Sequence, residues 1–578
     1  MINNNSFLNI DWNILNNNED LVNELSLEVN LDKVLIRILV NRGFNTVDSI
    51  NTFLNCKLKN TIPDPSLILD MDKAVFRITK AILNKEKVVI FGDYDVDGMT
   101  STSLLLKALQ FYNLDPEFFI PNRLKGSYGI TKEFIDFAKS KNVDLIIITD
   151  SGIASVNEVD YANQVGIDIV IFDHHPQLSE KLPQAVAVVD PNRTDQQEIY
   201  NAKIKYLCAA GVVFMFLIAL NRNVIKYNYE KINLMNLVYI AAIGTIGDLV
   251  PLIGINRAFV KYFINQKQYS ISITALINAL ELNSIKVSED IAFGICPVLN
   301  AAGRLGEQNN TVNLLMTNNY EEATNISYEL IALNEKRKSI EKNIFDQALD
   351  IIYSKKLYEN KAICVYDNLW HEGVIGIIAG KLKDKFNKPV FVISFDKNGF
   401  GKGSARSIKG LHIGEVINEA VQKNILVVGG GHAKAGGLSI YKNNIDKFIS
   451  FINEVIPSNI ENNLNIDCIL RNSEDLFCLF NKLTALEPFG TDFDFPTFGF
   501  TGIKLNNLQI KDNKYLKFQF GKYNIKCFLF NINSNRKFIE KLINNSNKLY
   551  DIIGQISYND KFGLSFIAKD IRLSILNN

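Results

Sequence analysis

Four short aliphatic runs constrain this chain more than any other feature: VVIF (88–91), DLIIIT (144–149), DIVIF (168–172) and AVAVV (185–189). Helix-length segments separate them, and the apolar character is nearly continuous, as in parallel strands covered on both faces. Each run leads into acidic or histidine residues, in GDYDVDG, TDSG, DHH and DPNR. In open α/β sheets the ligand crevice lies beyond the carboxyl ends of the strands, so these groups are expected to converge there.

The residue types say what such a crevice would hold. Only five histidines occur, and two of them, His174 and His175, are adjacent at a strand end. Asp93, Asp95 and Asp97 alternate in GDYDVDG. An EF-hand loop would need flanking helices and a distal Glu, and this segment follows a strand instead. Alternating carboxylates can feed two ions a few ångströms apart, with a further Asp between them. Asp150 suits that bridging place, and His174 and Asp248 complete the set. Mixed imidazole and carboxylate ligands favour Mn²⁺, with Mg²⁺ possible.

Further along, Tyr320–Lys355 holds no Pro or Gly and keeps helical spacing, as a connecting helix would. A second α/β pattern runs from 361 to 457. After 460 the alternating runs YLKFQF, NIKCFLF and GLSFIA indicate a small antiparallel barrel. The expected organisation is a helical lead-in (1–80), a parallel-sheet domain (81–318), a linking helix (319–357), a smaller α/β domain (358–458) and the barrel (459–578). The apolar stretch 211–220 reads as a buried helix, too short to cross a bilayer. No secretory signal is visible at the start, and seven cysteines without a CxxC pair suit reduced core thiols, so a cytoplasmic location is expected.

In order and spacing, VVIFGDYDVDGMTSTSLL, ITDSG, IFDHHP and IGTIGDLVPL resemble the four motifs of the DHH phosphoesterase superfamily. IPNRLKGSYGI, LNAAGRLG, HEGVIGIIAGKL, GKGSARS and GGGHAKAGG are similar to its RecJ family of bacterial single-strand-specific exonucleases. That resemblance covers nearly the whole chain. It implies a DHH catalytic domain, a linking helix, a DHHA1 domain facing it across a cleft, and an OB-fold. It also implies 5′→3′ removal of mononucleotides from a 5′-phosphorylated single strand, in DNA repair and recombination. By motif, Asp95, Asp97, Asp150, His174 and Asp248 would be metal ligands, Asp93 a weaker one, and His175 a contact to the scissile phosphate.

The resemblance also assigns Arg123, Ser404 and Arg406 to a terminal-phosphate pocket, and Arg304 to phosphate. Guanidinium forks match phosphate oxygens, which supports the assignment. Gly430, Gly431 and His432 lie in a glycine run whose backbone N–H groups can approach an anion, or in a plain turn, and the family favours substrate binding, with His432 also a catalytic candidate. His371 precedes a helix start suited to a phosphate, and His412 begins another helix in a structural role. A helicase and a single-strand-binding protein are partners by analogy only, with a monomer and no membrane association expected.

Net charge is zero overall, but from residue 501 onward 13 Lys+Arg stand against 5 Asp+Glu, a net of +8. With Tyr515, Phe518, Tyr523 and Phe528 interleaved, this tail suits single-strand binding, against the plainer reading of a solvated Lys-rich surface. Three rivals remain: a DHH enzyme for oligoribonucleotides or cyclic dinucleotides, a related pyrophosphatase (which typically carries His where this chain has Phe91), and a non-catalytic scaffold that has lost its ligands. EPFGTDFDFPTF (487–498), at the junction into the barrel, departs from the family's Gly-Asn-Pro pattern. No further C-terminal domain is expected.

Overall fold

The computed structural model describes residues 6–574 except 9, 16–17, 124–128, 178, 180, 197–203, 458–462, 472–474, 513 and 560–562. Leu124–Tyr128, quoted above within IPNRLKGSYGI, therefore lie outside the described residues. The chain forms two units: residues 53–338 with 487–494, and residues 1–52 with 339–486 and 495–578.

The first unit is built on five parallel strands: β1 (Val88–Phe91), β2 (Glu117–Phe119), β3 (Leu145–Thr149), β4 (Asp168–Phe172) and β5 (Ala187–Val189). Their order is β2-β1-β3-β4-β5. Side chains alternate between two cores. Val88 and Ile90 pack with helices Val96–Phe111, Ala209–Val224 and Val238–Gly247, whereas Val89 and Phe91 pack against Phe134 and Ala162 on the opposite face. Burial on both faces is why these runs carry no polar alternation. The chain steps from β1 outward to β2, then returns to β3 on the other side of β1. That reversal opens a crevice at the carboxyl ends of β1 and β3.

Helix Ala209–Val224 with its following turn to Tyr227 is longer than the apolar stretch suggested. By length and composition it reaches a membrane-spanning 19 residues, yet 61% of it is buried inside the unit. Helix Tyr320–Ser354 runs without interruption for 35 residues, about 50 Å at 1.5 Å per residue.

In the second unit, β6 (Ile363–Asp367), β7 (Val390–Phe395), β8 (Phe400–Arg406), β9 (Val428–Gly431) and β10 (Ala435–Tyr441) form a mixed sheet ordered β9-β10-β8-β7-β6. Helices Ile375–Phe386 and Ile413–Gln422 contribute to two separate cores, one with Val365 and Val392, the other with Cys364 and Phe391. The C-terminal sheet has seven strands: β11 (Cys468–Ile469), β12 (Phe498–Lys504), β13 (Asn506–Lys511), β14 (Tyr515–Phe520), β15 (Ile525–Phe530), β16 (Leu549–Asn559) and β17 (Gly563–Leu573). Their order is β11-β12-β16-β17-β15-β14-β13, and two pairs, β11 with β12 and β15 with β17, are parallel. The sheet is thus not wholly antiparallel: the chain passes through helix Arg536–Asn544 and β16 after β15, and the β16–β17 hairpin then lays β17 parallel to β15. The lead-in is not wholly helical either. Asp11–Ile14 pairs in parallel with Asn463–Ile466, and Trp12 Nε1 donates to Asp570 Oδ2 at 2.8 Å.

Candidate metal and phosphate site

Beyond β1 the chain turns through Asp93 into helix Val96–Phe111, whose N-cap is Asp95; its carboxylate accepts from the N–H groups of Asp97 (3.0 Å) and Gly98 (3.1 Å). Asp97 lies in the first turn of the helix, buried, and accepts from Ala209 N (2.6 Å) and Ala210 N (2.9 Å) at the start of another helix. An N-terminus holding a carboxylate is favoured by its free N–H groups and by the helix dipole. Asp150 directly follows β3 with φ 62°, a left-handed conformation uncommon for a residue with a side chain. Asp248 follows helix Val238–Gly247.

These elements bring six of the sequence candidates together around His174. Its Nε2 lies 3.2 Å from Asp150 Oδ1, 3.6 Å from Asp248 Oδ2 and 3.7 Å from Asp97 Oδ2. Among the described residues that buried nitrogen has no hydrogen-bond partner, and neither has Asp93 Oδ1. Three overlapping groups, Asp97 with His174 and Asp248, Asp93 with Asp95 and Asp150, and Asp150 with His174 and His175, each place their ligand atoms within 4.8 Å of one another. Asp150 is common to two of the groups, as a residue between two ions would be.

Charge crowding is severe. Burial, then the neighbouring carboxylates, hold Asp150 and Asp93 well above the usual carboxylate range. Burial and the charge of Asp248 push Asp97 to about 6, and burial and Asp95 push Asp248 to about 7. A carboxylate cluster that resists ionisation when alone, around unpaired nitrogen and oxygen atoms, fits divalent cations.

His175 differs from its neighbour. Burial disfavours its charged form, but a 2.8 Å hydrogen bond to Asp173 Oδ1 outweighs this and raises it to about 10. Burial opposes ionisation of Asp173 too, yet His175 and the N–H groups of Ile153 (2.9 Å) and His174 (2.7 Å) bring it down to about 2. His174, by contrast, is held neutral by burial and then by the charge of His175, the form in which imidazole ligates metal.

Sequence reasoning assigned no role to Asp173, although its place directly after β4 was a signal. It also missed the Ala209 and Ala210 N–H groups, Asn192, whose Nδ2 donates to the His174 carbonyl at 2.6 Å, and Asn300, whose Oδ1 accepts from Val96 N at 2.9 Å. Glycine 303 has a steric reason: a Cβ there would sit 1.8 Å from the carbonyl oxygen of Tyr94, between two of the carboxylates.

The phosphate candidates divide between the units. Arg123 and Arg304 belong to the same unit as the acidic cluster; the Arg123 guanidinium lies 5.0 Å from the Tyr94 ring centroid, and Arg304 stands in the last turn of helix Cys296–Leu305. Ser404, Arg406, His371, Gly430, Gly431 and His432 belong to the other unit. There, a Cβ built on Gly376 would lie 3.1 Å from Ser404 Oγ and 3.3 Å from Arg406 Nη2. Both side chains therefore sit at the first turn of helix Ile375–Phe386, where free N–H groups favour an anion. Arg406 Nη1 donates to Ser404 Oγ at 3.2 Å, and His371 Nδ1 accepts from Gly373 N at 3.1 Å. Gly430 pairs across with Gly437, and Gly437 with Ser404; a Cβ on Gly437 would meet nothing within 4 Å, which leaves a strip of open backbone. His432 closes the β9–β10 turn, its N–H donating to Ala435 O at 2.8 Å. His412 caps helix Ile413–Gln422 through Nδ1, 3.2 Å from Glu415 N.

On the C-terminal sheet, Phe518 is fully buried and cannot stack on a ligand, because alternation along β14 turns Leu516, Phe518 and Phe520 inward. Tyr515, Phe528 and Phe530 instead cluster outward with ring centroids 5.5 Å (Tyr515–Phe530) and 6.0 Å (Tyr515–Phe528) apart; Lys517 opposes Phe528 and Lys511 opposes Tyr515. Tyr523 is exposed.

Comparisons with known proteins agree with this architecture. Residues 87–245 match the DHH family, N-terminal domain; residues 359–458 match the DHHA1 domain; and residues 466–567 match the RecJ OB domain. The single-stranded-DNA-specific exonuclease RecJ of Escherichia coli is 31% identical over 497 residues, 82% of this chain and 84% of that protein. The Bacillus subtilis protein of the same name is 32% identical over 83% of this chain, which spans 60% of its length. Among solved structures, RecJ of Thermus thermophilus in complex with Mn²⁺ superposes with a TM-score of 0.79 at 23% identity, covering 97% of this chain and 79% of that one. A manganese-bound exonuclease RecJ gives 0.56 at 28% identity over 68% of this chain and 95% of that one.

Proposed function

The chain belongs to the RecJ family of DHH phosphoesterases, and from that premise we propose that it is a metal-dependent exonuclease that degrades single-stranded DNA from its 5′ end. The observation that carries this reading is the buried His174 Nε2 set among the carboxylates of Asp97, Asp150 and Asp248, next to Asp93 and Asp95. Asp93, Asp95, Asp97, Asp150, His174 and Asp248 would hold two divalent ions, Mn²⁺ or Mg²⁺. When bound, such ions supply Lewis acidity toward phosphate oxygens and lower the pKa of an attacking water. Asp173 occupies Nδ1 of His175, which leaves Nε2 of that cationic ring as the donor for the scissile phosphate.

Arg123, Arg304, Ser404 and Arg406 are the phosphate donors of this reading, with His371 and the Gly430–His432 backbone as further contacts and His432 a catalytic candidate. The outward Tyr515, Phe528 and Phe530, with Lys511 and Lys517, supply stacking faces and charge for an unpaired strand. Products are 5′-mononucleotides, and the enzyme works as a cytoplasmic monomer in repair and recombination, on ends exposed by a helicase and shared with a single-strand-binding protein. A 5′-phosphorylated labelled single strand, a duplex and a dinucleotide, each with Mn²⁺, test the reading. Mononucleotide release from the single strand with a resistant duplex is expected; preference for the dinucleotide would favour the small-substrate relatives instead.

A further inference from the structure

Glu487–Asp494, the segment that departs from the family pattern, is out of place in the chain. Leu486 and Phe495 both belong to the second unit, yet the residues between them pack in the first. There they meet the loop that follows Asp248. That loop begins with Leu249 at φ 59°, 70% exposed, and ends at the buried Leu252, whose N–H donates to Thr491 O at 2.9 Å. Gly490 fits against the same leucine so closely that a Cβ would lie 2.6 Å from Leu252 Cδ1.

A fully buried arginine fastens the segment. Arg257 donates to Pro488 O (2.7 Å) and Glu487 O (2.8 Å), and its guanidinium lies 3.7 Å from the Phe53 ring centroid and 5.1 Å from that of Phe493. Ser288 Oγ donates to Phe489 O at 2.6 Å. Phe489 stacks on Phe493 at 5.5 Å, and Gly490 and Phe493 exchange two 3.0 Å backbone hydrogen bonds that close the turn. This much buried hydrogen bonding and stacking gives the segment one conformation, and Arg257 itself sits five residues after Leu252.

We propose that Glu487–Asp494 is a clasp that positions Asp248 for metal binding, with Arg257, Gly490 and Phe493 as positioning residues. The helix end holds Asp248 on one side, its N–H donating to Gly244 O at 2.9 Å; the clasp fixes the other end of its loop at Leu252. Partners that orient a metal ligand from behind typically change affinity about 10- to 100-fold when removed. Metal occupancy would thus depend on a segment supplied from the C-terminal part of the chain.

The test is Mn²⁺ affinity of the full chain, measured by calorimetry, for Arg257→Lys, Gly490→Ala and Phe493→Leu, with melting of each in EDTA. Lysine keeps the charge but loses the planar fork that holds both carbonyls while lying against the Phe53 and Phe493 rings. About tenfold weaker Mn²⁺ binding is expected in those variants that melt within a few degrees of wild type, with hydrolysis restored at high Mn²⁺. Weakening of less than threefold in every folded variant overturns the clasp; Phe493→Leu, the mildest change, keeps the test open if the others do not fold. The clasp matters only if Asp248 holds metal, as proposed above, so Asp248→Ala belongs in the same titration. Unchanged affinity there would remove the metal site itself, whereas a loss there without loss in the clasp variants would remove only the clasp.

Discussion

Gly303→Ala is a one-atom perturbation with a calculable consequence. The added Cβ would stand 1.8 Å from the Tyr94 carbonyl oxygen, and real Cβ contacts essentially never fall below 3.0 Å, so something must move by at least 3.0 − 1.8 = 1.2 Å. Neither group is a flexible side-chain end: one is helix Cys296–Leu305, the other the backbone joining Asp93 to Asp95. Rotamer change cannot relieve the clash. Overpacking of this kind costs roughly 1–3 kcal/mol of stability. Displacing reacting groups by about 1 Å costs about 100-fold in rate. Hydrolysis of a labelled single strand with saturating Mn²⁺ should therefore fall about 100-fold, while the melting temperature drops by several degrees. Gly380→Ala, where a Cβ meets nothing within 4 Å, is the control and should leave activity unchanged. Activity of Gly303→Ala within threefold of wild type would refute the steric reasoning.

Three more outcomes follow from the site. Asp97 and Asp248 titrate at about 6 and 7 in the metal-free fold against an ordinary 3.8, so the fold binds more protons there than the unfolded chain, and their contribution to stability is lost as pH rises from about 4 through 7. In EDTA, Asp248→Asn should melt higher than wild type, by a margin that grows from pH 4 to pH 8, and should lose most of the Mn²⁺-induced rise; a margin independent of pH would contradict the assignment. Arg406→Lys gives up the planar fork beside Ser404 and should raise KM for 5′-phosphorylated strands about tenfold with kcat little changed; equal effects on phosphorylated and unphosphorylated ends would count against a phosphate contact. Replacing Lys511, Lys517 and Lys526 with alanine should flatten the salt dependence of single-strand binding by about 0.7 per lost contact, and an unchanged slope would take this face out of the DNA path.

How far the sequence could be read depended on the range of the interaction. Asp95, Asp97, Asp150 and His174 were legible because uninterrupted apolar runs mark parallel strands, and parallel strands put every following loop at one edge of the sheet; Asp248 was legible as the end of an apolar helix. Phe518 was legible in principle: strict alternation in YLKFQF turns every second residue inward, and Phe518 shares its face with Leu516 and Phe520. Asp173 needed the direction of its side chain, which turns back to the backbone of Ile153 and to His175. The hold of Ala209 and Ala210 on Asp97 spans more than a hundred residues, and that of Arg257 on Glu487 and Pro488 more than two hundred. No local periodicity encodes such pairs. Parallel pairing of β15 with β17 was hidden for the same reason, since each strand alternates as an antiparallel one would.

The two-ion centre depends on Asp150, which is shared by two of the three ligand groups. Counting Mn²⁺ bound per chain by calorimetry, in wild type and in Asp150→Ala, tests it directly, with hydrolysis measured on the same samples. Two ions should bind the wild-type chain, and Asp150→Ala should lose tight binding of both together with all hydrolysis, while single-strand binding persists. Two tightly held ions or near-normal turnover in Asp150→Ala would contradict it.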